Sequence, residues 1–415
     1  MSATVDFGPL VAATDGRPQL HPSGVGLRTV DSADLRARLH PSLSAYGITR
    51  VANITGFDLI GLPVHIAAKP QGATLASGSG KGLTPDGSWV SAVMEACEQA
   101  VWERLVLDPR YGLDTMQASA RSMARAGLRT VQVSDLPWIR GAVWGDDLSI
   151  SWTPGWDIVR GQEVWIPTSC VTPAVVGNAD LRPFVSSSNG LASGAHVLEA
   201  ILSALLEVIE RDGVRLHTRA VPRPPVDVQQ ISDALSAANA DVAELLQRSG
   251  LPMRVIDCTT ELGLPTFAAY LYDAPDQRVG SFEGAGAALT SDRALLRAVT
   301  EAAQSRCLVI AGARDDIFEL ERASGIQTLR ALPPQASADY PDVIDLQTGS
   351  LEGDIGVIVQ RLVDCGFDSV IVIRHTDPAE LVQVVRVVVP GLEGIDHHSA
   401  AIGRRFREHR ERAGR

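Results

Sequence analysis

Apolar positions along the chain change period in a repeating order. Gly61-Leu62-Pro63-Val64-His65-Ile66-Ala67-Ala68 reads as a strand, a glycine-rich stretch follows, and over about 87–107 the apolar residues fall at helical spacing. The order returns where Gly263-Leu264-Pro265-Thr266-Phe267-Ala268-Ala269-Tyr270 precedes another glycine-rich stretch. Between them, residues 157–167 read as a hairpin turning at Arg160-Gly161, and about 197–216 as a helix. Residues 369–373 and 384–389, rich in valine and isoleucine, read as buried strands. Residues 1–50 form a lead-in with little periodicity, 222–225 a proline-rich linker, and 396–415 a basic tail. The expected fold is α/β (α+β): strand, glycine loop and helix units related by internal pseudo-symmetry, in mixed sheets flanked by helices, within one domain over 51–395.

The helices carry acids in a fixed register. Ser91-Ala92-Val93-Met94-Glu95-Ala96-Cys97-Glu98 recurs as Ser203-Ala204-Leu205-Leu206-Glu207-Val208-Ile209-Glu210 and, more loosely, as Arg297-Ala298-Val299-Thr300-Glu301-Ala302-Ala303-Gln304. A glycine stands seventeen residues before the first Glu of each copy: Gly78, Gly190 and Gly284. Helix geometry puts positions i and i+3 on one face, so Glu95 with Glu98, Glu207 with Glu210, and Glu301 with Gln304 project as pairs. Glu199 falls within roughly 80° of Glu207 and Glu210 by the same period. Converging carboxylates repel unless cations sit between them, and hard oxygen ligands suit Mg²⁺, here with a nucleotide. The competing reading is a solvated outer face for each pair. Exposed acids drift after duplication, and three copies in register favour a site.

Composition narrows the classes. The chain has 415 residues, 45% of them hydrophobic, enough for a sizeable core. A net charge of −12 argues against nucleic acid as a partner. No stretch reads as a signal peptide or approaches the roughly 20 apolar residues of a membrane span, so no membrane partner is expected. Five scattered cysteines with no CxxC suggest a reducing cytoplasm and no zinc site. Only Lys69 and Lys81 are lysines, so a lysine inside Ser77-Gly78-Ser79-Gly80-Lys81-Gly82 stands out as a point charge where small residues let backbone approach phosphate. A flexible loop with a solvated lysine is the alternative. The Walker A spacing, a GxSxG elbow and an HExxH helix are all missing. In the tail, Glu408 lies four residues after Arg404 and Glu411 four after Arg407, which reads as a solvated helix with internal ion pairs, with docking of an acidic partner as the alternative. His397 and His398 follow Asp396, but adjacent side chains diverge on any regular element, so neither is taken as catalytic.

Together, Ser79-Gly80-Lys81-Gly82, the Glu95/Glu98 helix, Ser188-Asn189-Gly190-Leu191-Ala192-Ser193-Gly194 leading into Glu199 and Leu206-Glu207-Val208-Ile209-Glu210-Arg211-Asp212, and Thr300-Glu301-Ala302-Ala303-Gln304-Ser305-Arg306 resemble YcaO proteins over about 50–392. The resemblance implies ATP and Mg²⁺ in a pocket lined by the acidic helices, and activation of backbone amides in ribosomally made precursor peptides. It implies Glu95, Glu98, Glu199, Glu207 and Glu210 as Mg²⁺ ligands and Lys81, Arg211 and Arg306 against phosphate oxygens. Ser91 and Gln304 would contact nucleotide or phosphate, with Asn189 supporting the glycine loop. Catalysis would fall to Glu95, Glu207, Arg211 and Gln304. The expected reaction is O-phosphorylation of the amide followed by cyclodehydration to an azoline or amidine ring. Backbone thioamidation with a TfuA-like partner is the alternative, and a non-catalytic peptide-binding scaffold is the alternative from another class. Intact Glu pairs in the first two copies argue against the scaffold. The end Glu411-Arg412-Ala413-Gly414-Arg415 departs from the proline-rich tail of many partner-dependent azoline-forming members, which suggests a stand-alone or TfuA-associated type. A homodimer is the expected assembly.

Overall fold

The computed structural model describes residues 5–11, 18, 20, 28–174, 182–272, 280–313, 337–394 and 399–414, and His397 and His398 lie outside them. The named strands form three sheets. One runs β1 (Arg50–Asn53), β2 (Val64–Ala68), β3 (Ser77–Lys81); another runs β10 (Ser281–Ala287), β9 (Thr266–Tyr272), β8 (Met253–Asp257). The largest is ordered β4 (Met116–Ser119), β5 (Ser149–Asp157), β11 (Ile371–Arg374), β12 (Gln383–Val388), β7 (Leu191–Gly194), with β6 (Gln162–Pro167) paired to β5. Every ladder between named strands is antiparallel, narrower than the mixed pairing expected. The links β2 to β3, β9 to β10 and β11 to β12 are too short for a parallel crossover.

Three long helices cover these sheets: α2 (Pro85–Leu107) on β2 and β3, α4 (Val197–Val214) on β7 and β12, and α7 (Ser291–Ile310) on β9 and β10. Each starts at a side-chain cap, where Thr84 accepts from the Gly87 N–H, His196 from Leu198 and Thr290 from Arg293. The central core forms where α4 meets α8 (Leu351–Asp364) and the inner face of β12, through Leu205, Ile209, Ile355, Ile358 and Val387. Helices α5 (Val228–Ala238) and α6 (Ala240–Ser249) close the outer side of α7, α1 (Ser32–Leu39) packs on α2, and α3 (Ala120–Arg125) follows β4. No described helix is long and apolar enough to cross a membrane.

The expected glycine loops are strands at two of the three positions. Gly80 lies within β3, and a Cβ there would sit 2.0 Å from the Ala92 N of α2. Gly284 lies within β10, where a Cβ would sit 2.1 Å from the Ala302 N of α7. The glycines thus let helix backbone rest on strand backbone, which brings the helix acids to the strand edge. Only Gly190 makes a turn, at φ +78° before β7. The middle unit differs in pairing too. The hairpin β5 and β6 forms as read, with Gly161 at φ +60°, but β7 pairs with β12 and not with that hairpin.

The tail helix α9 (Arg404–Arg412) is not simply solvated. Phe406 is buried, Arg405 forks onto the buried Asp212 at 2.9 Å, and Arg404 pairs with Asp135 at 3.3 Å instead of with Glu408. Glu408 pairs with Arg412 at 3.7 Å, one turn the other way. The helix docks because Asp212, buried at the end of α4, needs a cation.

Candidate active site

The three units meet in a cycle, each helix reaching the strand of the next. From α2, Glu98 faces Ser193 on β7, which favours its charged form. From α4, Glu210 accepts the Ala287 N–H of β10 at 3.1 Å. From α7, Gln304 donates to the Ser79 Oγ of β3 at 2.9 Å, and Glu301 meets Lys81 Nζ at 2.8 Å. Within the first unit, Glu95 accepts the Ser79 N–H at 2.9 Å and its hydroxyl at 3.2 Å. β3, β7 and β10 each end a sheet order, so their outward N–H groups need acceptors, and the glutamates supply them. Those bonds fix where the carboxylates point.

Charge is distributed unevenly around the ring. Glu98 and Glu207 have no ion-pair contact among the described residues. Burial, then Glu207 and Glu95, push the Glu98 carboxyl well above its usual range. Burial pushes Glu207 up to about 7 against the pull of Arg211 and Arg386, and burial also raises Glu95. Glu301 goes the other way: burial acts to raise it, but Lys81 and Arg211 hold it below the ordinary value. Glu210 lies 3.8 Å from Arg211 and 3.6 Å from Arg297. The site therefore has an acidic flank of Glu95, Glu98 and Glu207, and a mixed flank where Lys81, Arg211 and Arg297 interleave with Glu210 and Glu301.

Two expected residues are engaged elsewhere. Both oxygens of Glu199 take backbone N–H groups, from Ala195 at 2.8 Å and from Thr29 in the lead-in, and its side chain is buried. It stands in the first turn of α4, where a carboxylate satisfies free N–H groups. Arg306 is buried in an ion pair with Asp58 beside the Phe282 ring. Five residues beyond Glu301, it projects from a different side of α7. Ser91 lies one turn before Glu95, partly exposed, and Asn189 packs its amide against Gly394 at the foot of β7. Lys81 and Arg211 keep side-chain exposures of 24% and 43%. Arg297 and Arg386 were missed. Arg297 occupies the position of Ser91 and Ser203 in the third copy, and Arg386 interrupts a run of valines, the signals that could have drawn attention to them.

As they stand, no three His, Cys, Asp or Glu side chains among the described residues form a metal-binding group. The donors are nevertheless of the right chemistry: hard carboxylate oxygens, two of them half-buried with no ion-pair contact among the described residues, beside cations that remain open to solvent. Such a constellation, raised on a pseudo-symmetric α+β frame, belongs to proteins that bind a metal with a polyphosphate.

The family is identified by similarity. The model described as "YcaO cyclodehydratase, ATP-ad Mg2+-binding" matches residues 79–393, and the chain belongs to the YcaO family, whose cofactors are ATP and Mg²⁺. A Rhizobium leguminosarum bv. trifolii protein, described as lying in the tfuA 3′ region, is 33% identical over 384 residues, 88% of each chain. A Methanothermobacter thermautotrophicus protein is 30% identical over 381 residues, 88% of this chain and 94% of its own. Among solved structures, YcaO from Methanopyrus kandleri, bound with AMPPCP and Mg²⁺, superposes with a TM-score of 0.68 at 22% identity over 90% of this chain and 94% of that one. A heterocyclase in complex with substrate and cofactor gives 0.71 at 21% identity; it covers 92% of this chain, which spans only 55% of the heterocyclase. These last two establish the fold.

Proposed function

We propose that the chain uses ATP and Mg²⁺ to activate backbone amides of a ribosomally made precursor peptide by O-phosphorylation. The observation that carries this is the two-sided site: half-buried carboxylates with no ion-pair contact among the described residues face lysine and arginines that stay accessible. Glu95, Glu98, Glu207 and Glu210 would hold Mg²⁺, which would supply charge neutralisation to the phosphate groups. Lys81, now tied to Glu301, and Arg211 lie where they can turn to phosphate oxygens. Gln304, fixed through Ser79 to the strand that also orients Glu95, ties the two flanks together. An amide oxygen is a poor leaving group. After a nucleophile adds to the carbonyl carbon, transfer of the γ-phosphoryl group to that oxygen lets it depart as phosphate, and the work left to the protein is positioning and charge neutralisation.

The nucleophile decides the product. A Cys, Ser or Thr side chain gives an azoline and an amine an amidine, each with net loss of water. Sulfide exchanges the oxygen for sulfur. The relative described in the tfuA 3′ region favours the sulfide reading, with a TfuA-like partner supplying the sulfur. The test is to incubate the chain with precursor peptide, ATP and Mg²⁺, with and without the partner, and follow phosphate and peptide mass. ADP and phosphate should appear in proportion to modified residues, with loss of water for a ring and oxygen-for-sulfur exchange for a thioamide. Modification without ATP would overturn the mechanism.

A further inference from the structure

The acidic flank rests on a buried guanidinium. β12 alternates its faces: Val385 and Val387 pack into the core around α4, while Val384 and Arg386 face α2. Arg386 is 3% exposed. Its Nη2 donates to the Cys170 carbonyl at 3.0 Å, and the guanidinium lies 6.0 Å from the centre of the Trp102 ring. Trp102 stands one turn beyond Glu98 on α2, and β12 pairs Val384 with Ser193, the residue that Glu98 faces. Arg386 Nε and Nη1 are buried with no hydrogen-bond partner.

Few groups can balance this charge. Burial pushes the Cys170 thiol up to about 12, so it is neutral, and burial with Arg386 and Arg104 pushes His375 down to about 3, so it is neutral as well. Arg104 is itself a cation, held by Glu380 at 2.7 Å. Burial works against the charge on Arg386, and Glu207, then Glu98, are the carboxylates that support it. A guanidinium on a valine-rich central strand costs more than an aliphatic side chain would. Its presence is not explained by stability.

We infer that Arg386 is a positioning residue for the reaction proposed above, the resident counter-ion that holds Glu98 and Glu207 in place for the metal and engages the carboxylate oxygens the metal leaves free. Ligating carboxylates need a partner behind them to fix their orientation; Arg211 also acts on Glu207 but is 43% exposed, so Arg386 is the cation on the buried side. The inference rests on the reading that this cluster binds Mg²⁺ with nucleotide.

The experiment compares wild type with Arg386→Met, Arg386→Gln and Arg386→Lys. Two quantities are read: the Mg²⁺ concentration that gives half-maximal binding of a non-hydrolysable ATP analogue, by calorimetry, and Mn²⁺ binding without nucleotide, by electron paramagnetic resonance. The neutral variants should raise the metal requirement roughly 10–100-fold, while Arg386→Lys recovers most of it. Far-UV circular dichroism of the metal-free variants checks that each is folded. Arg386→Gln can keep a bond to the Cys170 carbonyl and serves if the Met variant does not fold. A folded neutral variant with the wild-type metal requirement would overturn the inference, as would a lysine variant as impaired as methionine. Failure of wild type to bind the nucleotide analogue with Mg²⁺ would instead overturn the proposed function, and the Mn²⁺ ratios would still judge Arg386.

Discussion

The first and third units share a scaffold and differ in charge. In both, an antiparallel strand pair carries a helix so close that glycine is required beneath it, Gly80 under Ala92 and Gly284 under Ala302. The first unit then presents Glu95 and Glu98, both raised by burial, whereas the third presents Glu301 and Gln304, and Glu301 is held down by Lys81. Arg297 stands where the first unit has Ser91. The difference teaches that backbone symmetry and chemical asymmetry are set by different residues. Glycines and alanines set the helix height, and single substitutions at the rim leave one flank with carboxylates alone and give the other carboxylates interleaved with cations.

The largest expected effect should fall equally on both units. Gly80→Ala and Gly284→Ala each place a Cβ 2.0–2.1 Å from helix backbone, which cannot move aside as a side-chain tip could. Each should cost about 3 kcal/mol or more, at the top of the usual overpacking range. Urea denaturation with far-UV circular dichroism checks this. A mild loss in one unit alone would break the claim of a shared scaffold.

Charge substitutions should separate what the glycine pair leaves equal. Glu207→Gln removes a half-buried carboxylate that has no ion-pair contact among the described residues and whose carboxyl desolvation raises to about 7, so the metal-free protein should become more stable while Mg²⁺-dependent nucleotide binding falls by at least ~10–100-fold. Lys81→Ala leaves Glu301 without its 2.8 Å partner, so the metal-free protein should lose stability and nucleotide binding should weaken by roughly 1.5–3 kcal/mol. Lys81→Arg should keep part of that binding, because the charge remains but its shape changes. Thermal melts and calorimetry read both quantities. Stability changes of the same sign in Glu207→Gln and Lys81→Ala would erase the distinction between the flanks.

Much of this asymmetry was legible in the sequence, because it lies in residues three or four apart on helices whose period is strong. The acids, the hairpin turn at Arg160-Gly161 and the strands that became β11 and β12 all depend on local pattern. The glycines were located but misread as loops, since a strand glycine and a loop glycine look alike until the packed helix is known. Long-range partners were out of reach. No local signal joins β7 to β12, Thr29 to Glu199 or Asp58 to Arg306, so the partners that engage Glu199 and Arg306 could not be read from the sequence. Arg386 was hidden for the same reason, its meaning depending on a helix that precedes it by more than half of the chain.

The smallest effect concerns the floor of the acidic flank and is a matter of pH. His375 is buried with neither ring nitrogen bonded, and burial, Arg386 and Arg104 hold it down to about 3. A histidine depressed in the folded state contributes stability that is complete above its unfolded value of about 6.5 and is lost as pH falls from there toward 3, because the unfolded chain takes up the proton first. This single group should lower stability by up to about 1.4 kcal/mol per pH unit within that window. His375→Phe should flatten the acid limb of a plot of melting temperature against pH between 6.5 and 4. Arg386→Met should flatten it as well, since removing the neighbouring guanidinium lets His375 accept a proton more readily. Glu301, held below the ordinary carboxylate value, is not among the groups that act on His375, so Glu301→Gln should leave the limb's slope between pH 6.5 and the range where Glu301 itself titrates nearly unchanged. If Arg386→Met leaves the acid limb unchanged while His375→Phe flattens it, the guanidinium does not act on the floor of the acidic flank, and the two flanks differ by their carboxylates alone.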